Sequence, residues 1–138
     1  MRPDSADPRR WLAYARSDLA LAREGRHSED VFLEALCYHC QQAVEKSLKA
    51  VLIAHGIDFP RTHNVGTLAE LVPDAAALPD SVPDDALRGL SAYAILSRYP
   101  GDLEDVSEAD YEEALDVASH VVEWAGRDVG GSRPGRQA

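Results

Sequence analysis

The chain has 138 residues, 45% of them hydrophobic and 28% charged, which suits one soluble globular domain and excludes a wholly disordered chain. Its formal net charge of −10 excludes a broad basic surface of the kind that binds nucleic acid by bulk attraction. No apolar run approaches the roughly 18 residues of a membrane span, and residues 1–7 are polar and unlike a signal peptide, so the expected location is the cytoplasm.

Helical signals follow one another along the chain. Asp7-Pro8 supplies an N-cap acceptor followed by proline at the first helical position, and Trp11, Leu12, Ala15, Leu19 and Ala22 recur at helical spacing. This first helix is predicted to end near Gly25. Ser28 is the next N-cap candidate, with Glu29 and Asp30 favourable at the positive end of a helix. The apolar stripe Val31, Ala35, Leu36, Cys40, Ala43, Val44, Leu48, Val51 and Leu52 then predicts a helix of roughly 27 residues, about 40 Å long, stopped at Gly56. Pro60-Arg61-Thr62-His63 has loop chemistry, a short helix is predicted near Asn64–Leu71, and the prolines of residues 73–83 mark a connector. A fourth helix opens at Pro83-Asp84-Asp85, carries Leu87, Leu90, Ala94 and Ile95 on one face, and stops before Pro100-Gly101. Ser107 and Asp110 form an approximate capping box for a fifth helix, which bears Tyr111, Ala114, Leu115, Ala118, Val121, Val122 and Ala125 and ends near Gly126. The expected fold is all-α: an up-and-down antiparallel bundle of four main helices plus one short helix, with residues 7–127 as the domain and 128–138 as a flexible tail.

Charge is distributed unevenly. Nine of the fourteen Lys and Arg residues lie in residues 1–61, whereas residues 102–116 hold eight acidic side chains and no basic one. A local basic site is compatible with that pattern. The C-x-x-C pair Cys37 and Cys40 has no second Cys or His pair at zinc-ligand spacing, so it reads as two ordinary thiols, with Cys40 near the core, and no metal is expected. His39, Gln42, Lys46 and Lys49 fall at offsets of 0, 3, 7 and 10 on one face of the long helix, with Glu45 and Lys49 spaced as an i, i+4 ion pair. That face is either solvated or a polar stripe beside a groove, able to meet phosphate or a partner. Arg98-Tyr99 at a helix end serves the helix dipole, or holds a phosphate and stacks a base, with Arg61 and His63 converging from the other polar loop. The candidate ligand-binding residues are therefore His39, Gln42, Lys46, Lys49, Arg61, His63, Arg98 and Tyr99. No nucleophile–base set, Gly-rich phosphate loop or cofactor signature is present.

Residues Tyr38-His39-Cys40-Gln41-Gln42-Ala43-Val44-Glu45-Lys46-Ser47-Leu48-Lys49-Ala50, His55-Gly56, Arg61-Thr62-His63-Asn64 and Ser97-Arg98-Tyr99-Pro100-Gly101, in this order, resemble the HEPN domain (higher eukaryotes and prokaryotes nucleotide-binding), over about residues 9–126. The resemblance implies a bundle of four to five helices, a homodimer, and a separately made minimal nucleotidyltransferase partner in a toxin–antitoxin-like pair. Many members are metal-independent ribonucleases that carry Arg, four to six residues, then His. This chain has the Arg-Tyr-Pro motif but no such pair; Arg23 and His27, with three residues between them, come nearest.

Three readings follow. The first is a nucleotide- or RNA-binding dimeric module. The second is a ribonuclease toxin with an atypical site built from Arg98 with His39 or His63. The third is a structural interaction protein. The dimer is also expected because Trp11 and Trp124 demand more cover than one thin bundle provides.

Overall fold

The structure is a computed structural model and describes residues 6–94 and 106–131. Its helices are α1 (Pro8–Glu24), α2 (Leu33–Ala54), α3 (Val65–Glu70), α4 (Asp84–Gly89) and α5 (Glu108–Gly131), with no strand among the described residues. Short 3-10 turns follow α1 and α4 and lie in the proline-rich connector. No helix of the described residues is long and apolar enough to cross a membrane.

Local chemistry accounts for most helix ends. The Asp7 side chain accepts from the Arg9 amide, with Pro8 inside the first turn. Gly56 takes φ +70°, and Ile57 N–H and Gly56 N–H close onto the Leu52 and Ile53 carbonyls at 2.9 and 3.0 Å, a Schellman end to α2. Asn64 caps α3 by accepting from Thr67 N–H. Ser107 and Asp110 exchange side-chain-to-amide hydrogen bonds of 3.0 Å in both directions, so the capping box works with Asp in the place of Glu.

Two long-helix boundaries differ from the sequence expectation. The second helix is 22 residues and starts at Leu33, not just after Ser28. The Ser28 hydroxyl accepts from Asp30 N–H within a local turn, and Phe32 is extended, so the polar run 28–30 serves a turn instead of a helix start. The fifth helix runs through Gly126 to Gly131, because Val129 is fully buried and holds the last turn against the core. The first four residues assigned to the tail, 128–131, are therefore helical. The fourth helix tightens into a 3-10 turn over Leu90–Tyr93, and its predicted continuation through Ile95 lies outside the described residues.

Helix α2 is the spine, with Leu36, Cys40, Val44, Leu48, Val51 and Leu52 all essentially inaccessible. Helix α1 runs antiparallel to it: Asp18 meets Lys46, and Trp11 lies under Lys49. Helix α5 runs antiparallel to α1, since Tyr111 donates to the Ala22 carbonyl at 2.8 Å and Arg26 pairs with Glu108 at one end, while Arg16 lies beside Gly126 towards the other. The two tryptophans are covered to different degrees within one chain. Trp124 is 6% exposed and its indole N–H donates to the Ala76 carbonyl at 2.9 Å, while Trp11 packs against the core. The argument for a dimer from tryptophan cover thus falls for Trp124, whereas Trp11 is only partly buried.

Candidate functional site

The seam between α1 and α2 holds the polar chemistry. Tyr14 and Asp18 stand one turn apart on α1, opposite His39 and Lys46 on α2. Asp18 is 7% exposed, and its two oxygens are divided between two donors. One accepts from His39 Nδ1 at 2.9 Å, the other from Lys46 Nζ at 2.7 Å. With Nδ1 held by the carboxylate, the ring is oriented and Nε2 is the nitrogen left for another partner. The His39 side chain is 31% exposed and its ring meets Tyr38 edge-on at 5.3 Å. Lys46 Nζ lies 5.8 Å from the Tyr14 ring centre, and Arg10 both stacks on that ring at 5.1 Å and donates to its hydroxyl at 2.9 Å. Two cations, a phenol and an oriented imidazole thus meet at a half-exposed place. Such a set can bind phosphate, and the imidazole can accept or return a proton.

A second carboxylate, Glu45, organises the next stretch of α2. It is 3% exposed. Lys49 Nζ donates to one oxygen at 2.8 Å, and the other accepts from Gln41 at 3.0 Å and from Gln42 at 3.4 Å. His63 Nδ1 lies 3.1 and 3.2 Å from the two oxygens. Gln42 also donates to the Gln41 side-chain oxygen at 2.8 Å, and Gln41 donates to the His63 carbonyl at 3.0 Å. Lys49 is covered by the rings of Trp11 and Phe59, at 5.5 and 5.8 Å. Burial pushes the Glu45 carboxyl up, but hydrogen bonds from Lys49 and Gln41, the Lys49 charge and His63 outweigh it, and the group sits below the ordinary glutamate range. The network pins loop 57–64 onto α2, with the His63 side chain still 70% exposed.

The single polar face expected from the sequence is therefore divided. His39 and Lys46 join Asp18, whereas Gln42, Lys49 and His63 join Glu45. Arg61 is exposed on the neighbouring loop. Arg98 and Tyr99 lie outside the described residues. The sequence reading missed Asp18, Tyr14 and Arg10. Asp18 carried a signal: it falls between Ala15 and Ala22 on the face that packs against α2, where an aliphatic residue is expected.

Cys37 and Cys40 are fully buried free thiols. Burial pushes them up to about 11 and about 12, so neither offers a thiolate at neutral pH. Among the described residues no three His, Cys, Asp or Glu side chains are grouped to hold a metal ion.

The HEPN domain family matches residues 8–129 of the chain. A relative from Methanocaldococcus jannaschii, named "Putative toxin MJ1304", is 35% identical over 100 residues, which is 62% of this chain and 65% of that protein. The chain thus spans just under two thirds of that relative's length. The crystal structure of TT1696 from Thermus thermophilus superposes with a TM-score of 0.73 at 27% identity, covering 88% of this chain and 97% of that one. ST0689, an archaeal HEPN homologue, has the same fold with a TM-score of 0.68 at 23% identity, covering 94% and 99%.

Proposed function

The chain belongs to the HEPN domain family, and from that premise we propose that it is a nucleotide- or RNA-binding module of the Arg-Tyr-Pro group. In this reading it works as a homodimer with a minimal nucleotidyltransferase partner in a toxin–antitoxin-like pair. The relative named as a toxin supports the toxin-like part. The observation that carries the binding part is the seam at Asp18, where His39 and Lys46 share one carboxylate beside Tyr14 and Arg10. An anion placed there meets the Lys46 ammonium and the Arg10 guanidinium, with the oriented His39 ring beside them.

The test is thermal melting with nucleotides, wild type beside Lys46→Ala. A ligand at about one hundred times its Kd stabilises the native state by about 2.7 kcal/mol. The expected result is a rise in Tm for the wild type that Lys46→Ala removes. No rise with any nucleotide or short RNA, or the same rise in the variant, overturns the seam as the site. The dimer is tested by mass in solution at micromolar concentration, and a monomer refutes it.

A second reading, a metal-independent ribonuclease, is favoured by one feature: Asp18 orients His39 as a carboxylate orients a catalytic imidazole. General acid–base catalysis is worth about 100-fold or more. Cleavage of RNA in EDTA that falls by that factor in His39→Ala, with the fold kept, supports it. Cleavage unchanged by His39→Ala, or absent in the wild type, refutes it. Arg98→Ala, assayed in parallel, tests whether Arg98 takes part.

A further inference from the structure

A groove of about 1070 Å³ runs between α1 and α5, on a different face of α1 from the Asp18 seam. Arg9, Arg16 and Arg23 line one wall and Arg127 the other, with Glu123 the single carboxylate of the lining. The three α1 arginines are spaced seven apart, so they drift by only about 20° per step and mark a track about 21 Å long. In a chain of net charge −10 this is a concentrated patch of the opposite sign.

The patch is poorly compensated. Arg26, Arg88, Lys46 and Lys49 each pair with a carboxylate at 3.0 Å or less. In the groove, Arg127 lies 3.7 Å from Glu123 and Arg9 lies 3.6 Å from Asp7. Arg23 donates to the Ser119 hydroxyl at 3.0 Å. Neither Arg16 nor Arg23 pairs with a carboxylate among the described residues. Gly126, in the interior of α5, makes space for this arrangement. A Cβ there would stand 2.8 Å from Arg16 Nη2, so the guanidinium lies across the helix where a side chain would otherwise be. Glycine inside a helix is unfavourable relative to alanine, and here it leaves the place that the Arg16 guanidinium takes.

The floor decides the kind of ligand. Leu12, Leu19, Val122 and Val129 are each no more than 6% exposed, so they offer no pocket for an apolar anchor. The lining holds no Phe, Tyr or Trp on which a base could stack, and the His120 ring is held to its own helix by the Asp116 carbonyl. What remains is guanidinium forks over a closed aliphatic floor, and such forks match phosphate oxygens. We infer that the α1–α5 groove is a track for a linear chain of phosphates, read through Arg16 and Arg23 without base recognition. The phosphates come from a single-stranded nucleic acid backbone or from polyphosphate. This site is separate from the Asp18 seam and stands whether or not nucleotides bind there.

The test is fluorescence anisotropy with a labelled oligouridine, competed by inorganic polyphosphate and by polyglutamate of similar length. Four arginine contacts give a log–log salt slope of up to about −3 on a single strand, and losing two of them halves it. Arg16→Ala/Arg23→Ala is expected to weaken binding at least tenfold. Arg26→Ala/Arg88→Ala, with the same loss of charge elsewhere, is expected to bind within about twofold of wild type. Both wild-type and variant folds are checked by circular dichroism melting. Arg16→Lys/Arg23→Lys keeps the charge and separates a folding failure from a lost contact. Competition by polyphosphate as strong as by unlabelled RNA identifies the phosphate chain itself as the ligand; competition by RNA alone identifies the nucleic acid. The inference is overturned if wild type does not bind, if the Arg16/Arg23 variant binds like wild type, if the control pair loses binding equally, or if polyglutamate competes as well as polyphosphate. The last result would make the groove a site for an acidic peptide. The nucleotide melting shift, read in the same arginine variants, reports separately on the seam.

Discussion

The Lys49–Glu45 pair is buried enough to be tested quantitatively. At 2.8 Å and an effective dielectric near 20, the attraction between two unit charges is about 6 kcal/mol. Lys49→Met removes it but keeps the stem that packs against Trp11 and Phe59, and the thioether replaces part of the ring contact. Gln41, Gln42 and His63 still donate to Glu45 and offset some of the loss. A net destabilisation of about 3 kcal/mol at pH 7 follows, in the range for a buried ion pair that loses one partner, and about 10 °C in Tm for a domain of this size. The pH dependence gives an independent check. In the wild type the Glu45 carboxyl is held below its unfolded value, so its contribution is present at neutral pH and is lost as pH falls below about 4. In the variant, burial is no longer opposed by the Lys49 charge and the carboxyl moves above its unfolded value. Its penalty then grows as pH rises and fades on acidification. The gap between the two proteins should therefore narrow from pH 7 to pH 4 in urea-melt ΔG values. A Lys49→Met variant within about 0.5 kcal/mol of wild type at pH 7, or a gap that widens on acidification, would refute the account.

Three further outcomes are expected. Ser47 is fully buried in α2 and its hydroxyl has no hydrogen-bond partner among the described residues, so Ser47→Ala should leave stability unchanged or raise it by about 1 kcal/mol in chemical denaturation; a loss of that size would show a partner for the hydroxyl. Ser107→Ala removes one half of the reciprocal cap on α5 and should cost about 1 kcal/mol by the same assay. Cys37 and Cys40, inaccessible and pushed up to about 11 and about 12, should resist a thiol reagent at pH 8 in the native state and react fully in denaturant, and rapid native labelling would contradict their burial.

Sequence reading succeeded where the deciding atoms are close in the chain. Gly56 announced a left-handed helix end, and the end is a Schellman motif made by residues 52–57. Ser107 and Asp110 announced a cap and form it within four residues. It failed where the deciding contact comes from elsewhere. Ser28 looks like an N-cap, but a turn uses its hydroxyl, and α2 begins at Leu33. Gly126 looks like a helix end, but the burial of Val129 carries α5 past it. The partner of Lys46 is 28 residues away and that of His63 is 18 away, so helical spacing could gather His39, Gln42, Lys46 and Lys49 on one face but could not divide them.

Burial explains that division. A carboxylate taken fully from water must have its oxygens satisfied and its charge matched, or the fold pays several kcal/mol. Glu45 meets that demand by drawing in two glutamines, a lysine and a loop histidine. Asp18 stands at the edge of the core and needs less. His39 and Lys46 complete it while remaining 31% and 25% exposed in their side chains. The same residue types on one helix thus differ in role by depth: the deeper set fixes loop 57–64, and the shallower set keeps an imidazole nitrogen and an ammonium within reach of an anion. Had Lys46 been as deeply covered as Lys49, an incoming phosphate would have had no route to it from water, and the seam would be a second structural network.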